Sequence, residues 1–287
     1  MSKVFFIAEA GKNFINVPWQ GSAQSYTIPY YAENAIALIK AAKEAGADAV
    51  KFQTHVFEDE QHLRGETRYE WIKFNESITP LTFWEELKMQ CDHIGIEFMT
   101  TPMSKMAAEK VNHLVKRWKV GSGNVTDHEL LKYLASTGKP VILSTGMSTH
   151  KQVEEAIDIL SKNELSLLYC KSIYPCPMER VDFEVMRAMK NYIGNYWNIG
   201  IGGKVGFSDH TVELTTPAKA VIEGAEIVEK HFTLDKNAVG PDHSFALTPD
   251  ELKLSIKIMR DYEDYRGSCI VPDDDEIKYW KNFRKNV

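Results

Sequence analysis

Two lysines stand where lysine is out of place. Lys51 interrupts the apolar run DAVKFQ (48–53) and Lys119 interrupts WKVGS (118–122). A lysine inside an otherwise apolar strand must either snorkel to water or meet an anion. Hydroxyls close the neighbouring runs: Thr101 ends EFMTT (97–101), Ser122 follows Lys119, Ser144 lies in PVILST (140–145) and Ser208 in KVGFSD (204–209). Two cations among several hydroxyl donors suit a phosphate and a carboxylate carried by one small ligand. The competing chemistry for Lys51 is a Schiff base with a carbonyl substrate, as in an aldolase.

Two histidines raise a second chemistry. His210 follows KVGFSD, and His231 lies in EIVEKHF (226–232). Side chains two apart on a strand share a face, so Ala49, Lys51 and Gln53 group together, as do Ile227, Glu229 and His231. If the two histidine-bearing runs are neighbouring strands, the imidazoles aim at a common point. They would then hold a divalent metal with positions left for water and substrate. A single histidine is more commonly a hydrogen-bonded structural residue, and it is the pairing at adjacent strand ends that carries the metal reading. Asp209 and Glu229 are candidates to orient the rings.

The elements that must position these residues follow one rhythm. The runs KVFFIAE (3–9), DAVKFQ, EFMTT, WKVGS, PVILST, LSLLYC (165–170), KVGFSD and EIVEKHF alternate with helix-like stretches near 30–45, 82–94, 104–116, 127–137, 149–162, 182–193, 212–224 and 248–266. Eight strand-then-helix units predict an α/β chain closed into a (β/α)8 TIM barrel over residues 1–266; an open doubly wound sheet is the alternative. Gly46, Gly95, Gly138 and Gly224 each fall between a helical run and a strand, where a left-handed helix cap is expected. AGADAVKF (45–52) and EGAEIVEKHF (223–232) read alike and hint at an internal repeat. In a barrel the strands' C-terminal ends carry the active site. Residues 12–29, broken by Pro18, Gly21 and Pro29, and residues 54–80 read as long connections of the kind that serve function. Residues 267–287 read as a polar tail.

Composition narrows the function classes. At 287 residues with 44% hydrophobic and 26% charged residues, the chain has the make-up of a soluble globular protein. A net charge of −6 argues against nucleic-acid and anionic-membrane partners. MSKVFFIAEAG reads as a first strand rather than a signal peptide, and no apolar run approaches the length needed to span a bilayer. Cys91, Cys170, Cys176 and Cys269 lack zinc or redox spacing and are expected to be free thiols of a cytoplasmic protein.

Taken in order, IAEAGKN (7–13), AGADAVKFQT (45–54), TTPMS (100–104), KVGSGN (119–124), GKPVILSTGMS (138–148), YCKSIYPCP (169–177), GFSDHT (206–211), EKHFTL (229–234) and GPDH (240–243) resemble the sialic acid (N-acetylneuraminate) synthase family over nearly the whole barrel. The resemblance implies a transferase that condenses phosphoenolpyruvate with N-acetylmannosamine, its 6-phosphate or a related amino sugar, using a divalent metal, typically Mn2+. C3 of the enol attacks the open-chain aldehyde, water adds at C2, and phosphate leaves by C–O cleavage. By that resemblance His210 and His231 hold the metal, which polarises the aldehyde oxygen. Lys51, Thr101, Lys119, Ser122, Ser144 and Ser208 bind phosphoenolpyruvate with Ser172 nearby, and Gln53, Tyr174 and Asp242 contact the sugar. The chain departs from the family pattern after Asn13, where Phe14, Ile15 and Asn16 replace the usual His-x-Gly, and Trp19 and Tyr26 follow. Asn124 stands where many members have an acid. No segment resembles the family's C-terminal antifreeze-like domain, which reaches into a partner subunit, so a homo-oligomer is left open. The phosphoenolpyruvate half is therefore expected intact and the acceptor half altered, with the 12–29 or 54–80 connection closing over the acceptor. A barrel that binds sugar without catalysis is the reading from another class.

Overall fold

The computed structural model describes residues 3–17, 26–60, 66–197 and 203–264. Trp19, Cys269 and the 267–287 tail lie outside the described residues. Parallel strands alternate with helices as the rhythm predicts: β1 (Phe5–Gly11), α1 (Ile28–Ala45), β2 (Ala49–Thr54), α2 (Glu66–Ile78), α3 (Leu81–Ile94), β3 (Glu97–Pro102), α4 (Lys105–Val111), β4 (Trp118–Val120), α5 (His128–Ser136), β5 (Val141–Ser144), α6 (His150–Leu160), β6 (Leu165–Cys170), α7 (Phe183–Trp197), β7 (Val205–Asp209), α8 (Thr216–Ile222), β8 (Ile227–His231) and α9 (Pro249–Asp264).

The hydrogen-bonded strand order is β3-β2-β1-β8-β7-β6-β5-β4. The first and last strands are thus paired in parallel, from Phe5↔Ile227 through Glu9↔His231. β3 and β4, at the two ends of that order, pack against each other. The sheet curls into a nearly closed barrel, which rules out the open doubly wound alternative.

Each strand sorts its residues by parity. One set faces the barrel axis, where Ile7, Ala49, Met99, Ile142, Leu168 and Ile227 form an apolar floor. The other set, including Phe6, Val50, Phe52, Phe98, Trp118 and Phe207, packs outward against helix residues such as Tyr31, Leu38, Trp84 and Leu87. Gly46, Gly95, Gly138 and Gly224 all have positive φ, as their positions between helix and strand require.

Two local expectations change. Residues 54–80 are not simply a long loop, because helix α2 occupies their second half. Ile72, Asn75 and Ile78 are its buried face, at helical spacing; the aromatic and polar residues between them mask that period in the sequence. Pro29 does not break a helix but sits in the first turn of α1, where its missing N–H would have had no intrahelical acceptor. Cys91, Cys170 and Cys176 are buried and free, as expected. Among the described residues no helix is long and apolar enough to cross a membrane.

On the outward face of the last two strands lies a buried ion pair. Lys230 Nζ donates to Asp209 Oδ2 at 2.6 Å and to the Thr211 carbonyl at 2.9 Å, and Asp209 also accepts from the Thr211 N–H at 2.8 Å. Both side chains are almost wholly buried. Lys230→Ala strands the Asp209 charge and is expected to cost about 3–5 kcal/mol of stability; a denaturant midpoint unchanged from wild type would refute the pair's structural role.

Candidate functional site

Two residues beyond five of the six floor positions the interior turns polar. Ile7 gives way to Glu9, Ala49 to Lys51, Met99 to Thr101, Ile142 to Ser144 and Ile227 to Glu229. These side chains line an inner cavity of about 270 Å³ at the strands' C-terminal ends, together with Gln53, Lys119, Ser122, Tyr174, Ser208, His210 and His231. Of the residues the resemblance assigns to phosphoenolpyruvate, sugar or metal, all line this cavity except Ser172 and Asp242. Ser172 stands one step back, its hydroxyl 2.9 Å from that of Ser122. Asp242 lines a second cavity described below.

The two lysines do meet anions, and those anions belong to the protein. Lys51 Nζ lies 2.6 Å from Glu9 Oε2 and 3.6 Å from Glu229 Oε2, and donates to Thr101 Oγ1 at 2.8 Å. Lys119 Nζ donates to Ser144 Oγ at 2.7 Å and lies 3.7 Å from Glu229 Oε1. Gln53 donates to Glu9 at 2.9 Å, and Ser208 to Glu229 at 3.2 Å. Burial, reinforced by repulsion from Glu229 and only partly offset by Lys51, pushes Glu9 up to about 7. Burial alone would also raise Glu229, but Lys119 and Lys51 on either side hold it below the usual carboxylate range. Burial lowers Lys119, whereas for Lys51 the two carboxylates outweigh burial and raise it.

The histidines converge as β7 and β8 pair. Their ring centroids are 5.6 Å apart. Burial first, then repulsion from His231, takes His210 down to about 4, and burial lowers His231 against the pull of Asp242. Both rings are therefore neutral near pH 7, the form that ligates metal. His210 Nδ1 is 2.7 Å from the Lys171 carbonyl, while the buried His231 Nδ1 has no hydrogen-bond partner and lies 3.8 Å from Asp242 Oδ2. This orphaned nitrogen beside a second neutral imidazole fits a divalent cation. Among the described residues no three His, Cys, Asp or Glu gather into a fuller ligand set, so water or substrate would supply the remaining ligands. The expected orienting residues are corrected. Asp209 points outward to Lys230, Glu229 is engaged with the lysines and Ser208, and the Lys171 carbonyl orients His210 instead.

An outer cavity of about 350 Å³ adjoins the inner one and shares Gln53, Tyr174 and His231 with it. Its other lining residues are Lys12, His55, Trp71, Ile72, Pro241 and Asp242. The Tyr174 ring lies 4.2 Å from that of His210, between the two cavities. Asp242 is held in place by its neighbour His243, whose Nδ1 is 2.7 Å from Thr233 Oγ1 and whose Nε2 is 3.3 Å from the Ile15 carbonyl. Gly240 is required beside it, because a Cβ there would come within 2.6 Å of the His243 ring. Of the residues that depart from the family pattern, Phe14 is buried in the outward core against Phe52 and Phe83. Asn124 donates to the Met103 carbonyl at 3.1 Å and lines the inner cavity.

Sequence reasoning did not foresee the lysine–carboxylate pairing, although Glu9 shares the inward parity of Ile7 and Glu229 that of His231. Nor did it assign Lys12, His55, Trp71 or His243. His55 pairs locally, with Glu60 five residues on and its Oε2 2.7 Å from His55 Nδ1.

The eight-stranded parallel barrel has the fold of the sialic acid synthases. The chain belongs to the NeuB family, whose model matches residues 38–270. It is 40% identical over 235 residues to an uncharacterized protein of Methanocaldococcus jannaschii, covering 80% of this chain and 66% of that one. It is 35% identical to the N,N'-diacetyllegionaminic acid synthase of Legionella pneumophila, over 99% of this chain and 79% of the relative. Among solved structures, the N-acetylneuraminic acid synthetase of Leptospira borgpetersenii superposes with a TM-score of 0.83 at 27% identity, covering 99% of this chain and 93% of that one.

Gly146 tests the pocket's fine structure. A Cβ there would sit 2.3 Å from Ser172 Oγ and 2.5 Å from Cys170 Sγ. Gly146→Ala must displace Ser172 and, through it, Ser122. Loss of about one hydrogen bond to a phosphate-bearing ligand corresponds to roughly a tenfold weaker affinity, read by calorimetric titration with phosphoenolpyruvate. Unchanged affinity would place the anion away from Ser122.

Proposed function

We propose that this chain is a metal-dependent synthase that condenses phosphoenolpyruvate with an amino-sugar aldehyde to give a nonulosonic acid and phosphate. The observation that carries this reading is the junction of the two cavities. The inner one offers paired cations and hydroxyls to a small phosphorylated acid. The outer one offers an aromatic ring, an amide and a carboxylate to a sugar. The shared residues Gln53, Tyr174 and His231 stand where the two ligands would meet. Membership of a family with relatives named as legionaminic acid and N-acetylneuraminic acid synthases supports the same assignment.

In this reading the ammonium groups of Lys51 and Lys119, with the hydroxyls of Thr101, Ser122, Ser144 and Ser208, hold the phosphate and carboxylate of phosphoenolpyruvate. Gln53, Tyr174 and Asp242 orient the acceptor so that its carbonyl carbon faces C3 of the enol. His210 and His231 would hold a divalent cation such as Mn2+, which would supply Lewis-acid polarisation of the acceptor oxygen. Glu9, with its pKa near 7, is able to hold a proton and release it near neutral pH. One C–C bond forms, water adds at C2, and the C–O bond to phosphate breaks. Lys51 is a poor Schiff-base nucleophile here, because its two carboxylate neighbours favour the protonated form. That disfavours the aldolase alternative.

The test is phosphate release from phosphoenolpyruvate with Mn2+ and a panel of amino sugars. Release should depend on the acceptor and stop on chelation. His210→Ala and His231→Ala should each lose both turnover and calorimetric Mn2+ binding; full retention of either property would sink the metal assignment. Lys51→Met should raise the phosphoenolpyruvate KM by about tenfold or more, as expected for a lost charge-assisted contact. Borohydride trapping of a pyruvate-type substrate on Lys51 would favour the aldolase instead.

A further inference from the structure

Trp71 and Lys12 arrive at the outer cavity from two different connections, and both are placed by rigid parts of the fold. Lys12 follows β1 in a tight turn, fixed by Asn13 N–H donating to the Ala10 carbonyl at 2.8 Å and Ile15 N–H to the Lys12 carbonyl at 2.9 Å. Trp71 lies on α2, which is anchored by the buried Ile72, Asn75 and Ile78. Phe74 of the same helix packs edge-on against Tyr31 of α1, and Glu76 accepts from the Phe57 N–H at 2.8 Å. The Lys12 ammonium lies over the Trp71 ring, 5.7 Å from its centroid, a cation–π contact that ties the two connections together. Lys12 and Trp71 thus line the cavity as a contacting pair, and Ile72, Asp242 and Gln53 also lie on its lining.

That lining has a mixed character. Trp71 and Ile72 offer apolar surface, and Lys12 offers N–H donors beside it. An acylamino substituent has the matching composition, with a methyl group to bury and a carbonyl oxygen to accept a hydrogen bond. A bare hydroxyl in the same place would leave the apolar surface uncovered. We propose that Trp71 and Lys12 are specificity-determining residues that read the acylamino group of the acceptor, the methyl against Trp71 and Ile72 and the carbonyl toward Lys12. The inference rests on the proposed synthase reaction and adds which residues read the acceptor's acylamino substituent.

The experiment compares kcat/KM for N-acetylmannosamine and for mannose at saturating phosphoenolpyruvate in wild type, Trp71→Ala, Trp71→Phe and Lys12→Met. Wild type should favour the acetylated sugar by roughly tenfold or more, the scale of one buried apolar group plus a hydrogen bond. Trp71→Ala and Lys12→Met should bring the ratio toward one, Trp71→Phe should keep most of it, and the phosphoenolpyruvate KM should stay near wild type in all three. An active Trp71→Ala enzyme with the wild-type ratio overturns the inference and leaves the synthase reading standing, and so does a wild type that uses both sugars equally. Phosphate release with no acceptor at all overturns both.

Discussion

The structure is organised around four buried ionisable groups inside the barrel. Glu9, Lys51, Glu229 and Lys119 form a chain of alternating sign inside the barrel, with contacts of 2.6, 3.6 and 3.7 Å. Burying any one of them alone would cost several kcal/mol, so each is tolerable only while its neighbours hold position. That requirement reaches outward. The side chains come from β1, β2, β8 and β4, and only a barrel with β1 seated between β2 and β8 brings them together. The arrangement is costly for stability compared with apolar packing, and its value lies in what it prepares. On the proposed reading, an arriving phosphate and carboxylate would meet two ammonium groups already desolvated and fixed, with Glu9, pushed up to about 7, able to give up or take a proton as the charge balance changes.

The same geometry gives meaning to the two similar joints in the sequence. In AGADAVKF and EGAEIVEKHF the helix end, glycine and strand start correspond, so Ala49 matches Ile227 and Lys51 matches Glu229. β2 and β8 flank β1 symmetrically, and the matching positions carry opposite charges on either side of Glu9. The lysine that made the joints look alike is a false parallel. Lys51 faces the axis, whereas Lys230 has the other parity and pairs with Asp209 on the outward face. That outward pair couples β7 to β8 directly behind His210 and His231. The ends of β7 and β8, which bring the two imidazoles together, are thereby fixed from the outward face.

Parity explains both what was legible in the sequence and what was not. The strand-then-helix rhythm predicted the barrel because each interior position is dictated locally. Thr101, Ser144, Ser208, His210 and His231 could be placed at the mouth because strand ends are visible in one dimension. The lysine–glutamate chain could not be paired in advance, since pairing depends on which strands are neighbours and at what height. The ring-orienting partner of His210 is a backbone carbonyl, that of Lys171, and a backbone group carries no residue-type signal at all. Asp209 was misplaced for the simple reason that it is one residue from His210 and therefore faces the opposite way. Helix α2 was hidden because Trp71 and Phe74 interrupt its buried stripe.

The division between the two cavities is also a division between kinds of structure. The inner cavity is built almost wholly from strand positions, where a one-residue change of register would turn every side chain away. The outer cavity draws Lys12 from the β1–α1 connection, His55, Trp71 and Ile72 from the segment between β2 and α3, and Asp242 from the segment after β8. Connections accept substitution without disturbing the barrel's hydrogen-bonded frame. In this chain the residues that depart from the family pattern after Asn13 follow that logic. Phe14 is absorbed into the core behind β2, where it packs on Phe52 and Phe83, while Lys12, just before Asn13, stays at the mouth. A barrel with a fixed strand-built pocket and a loop-built neighbour can keep one chemistry while changing the partner it is performed on, and the contact between Lys12 and Trp71 is the point where two such loops have been fitted to each other.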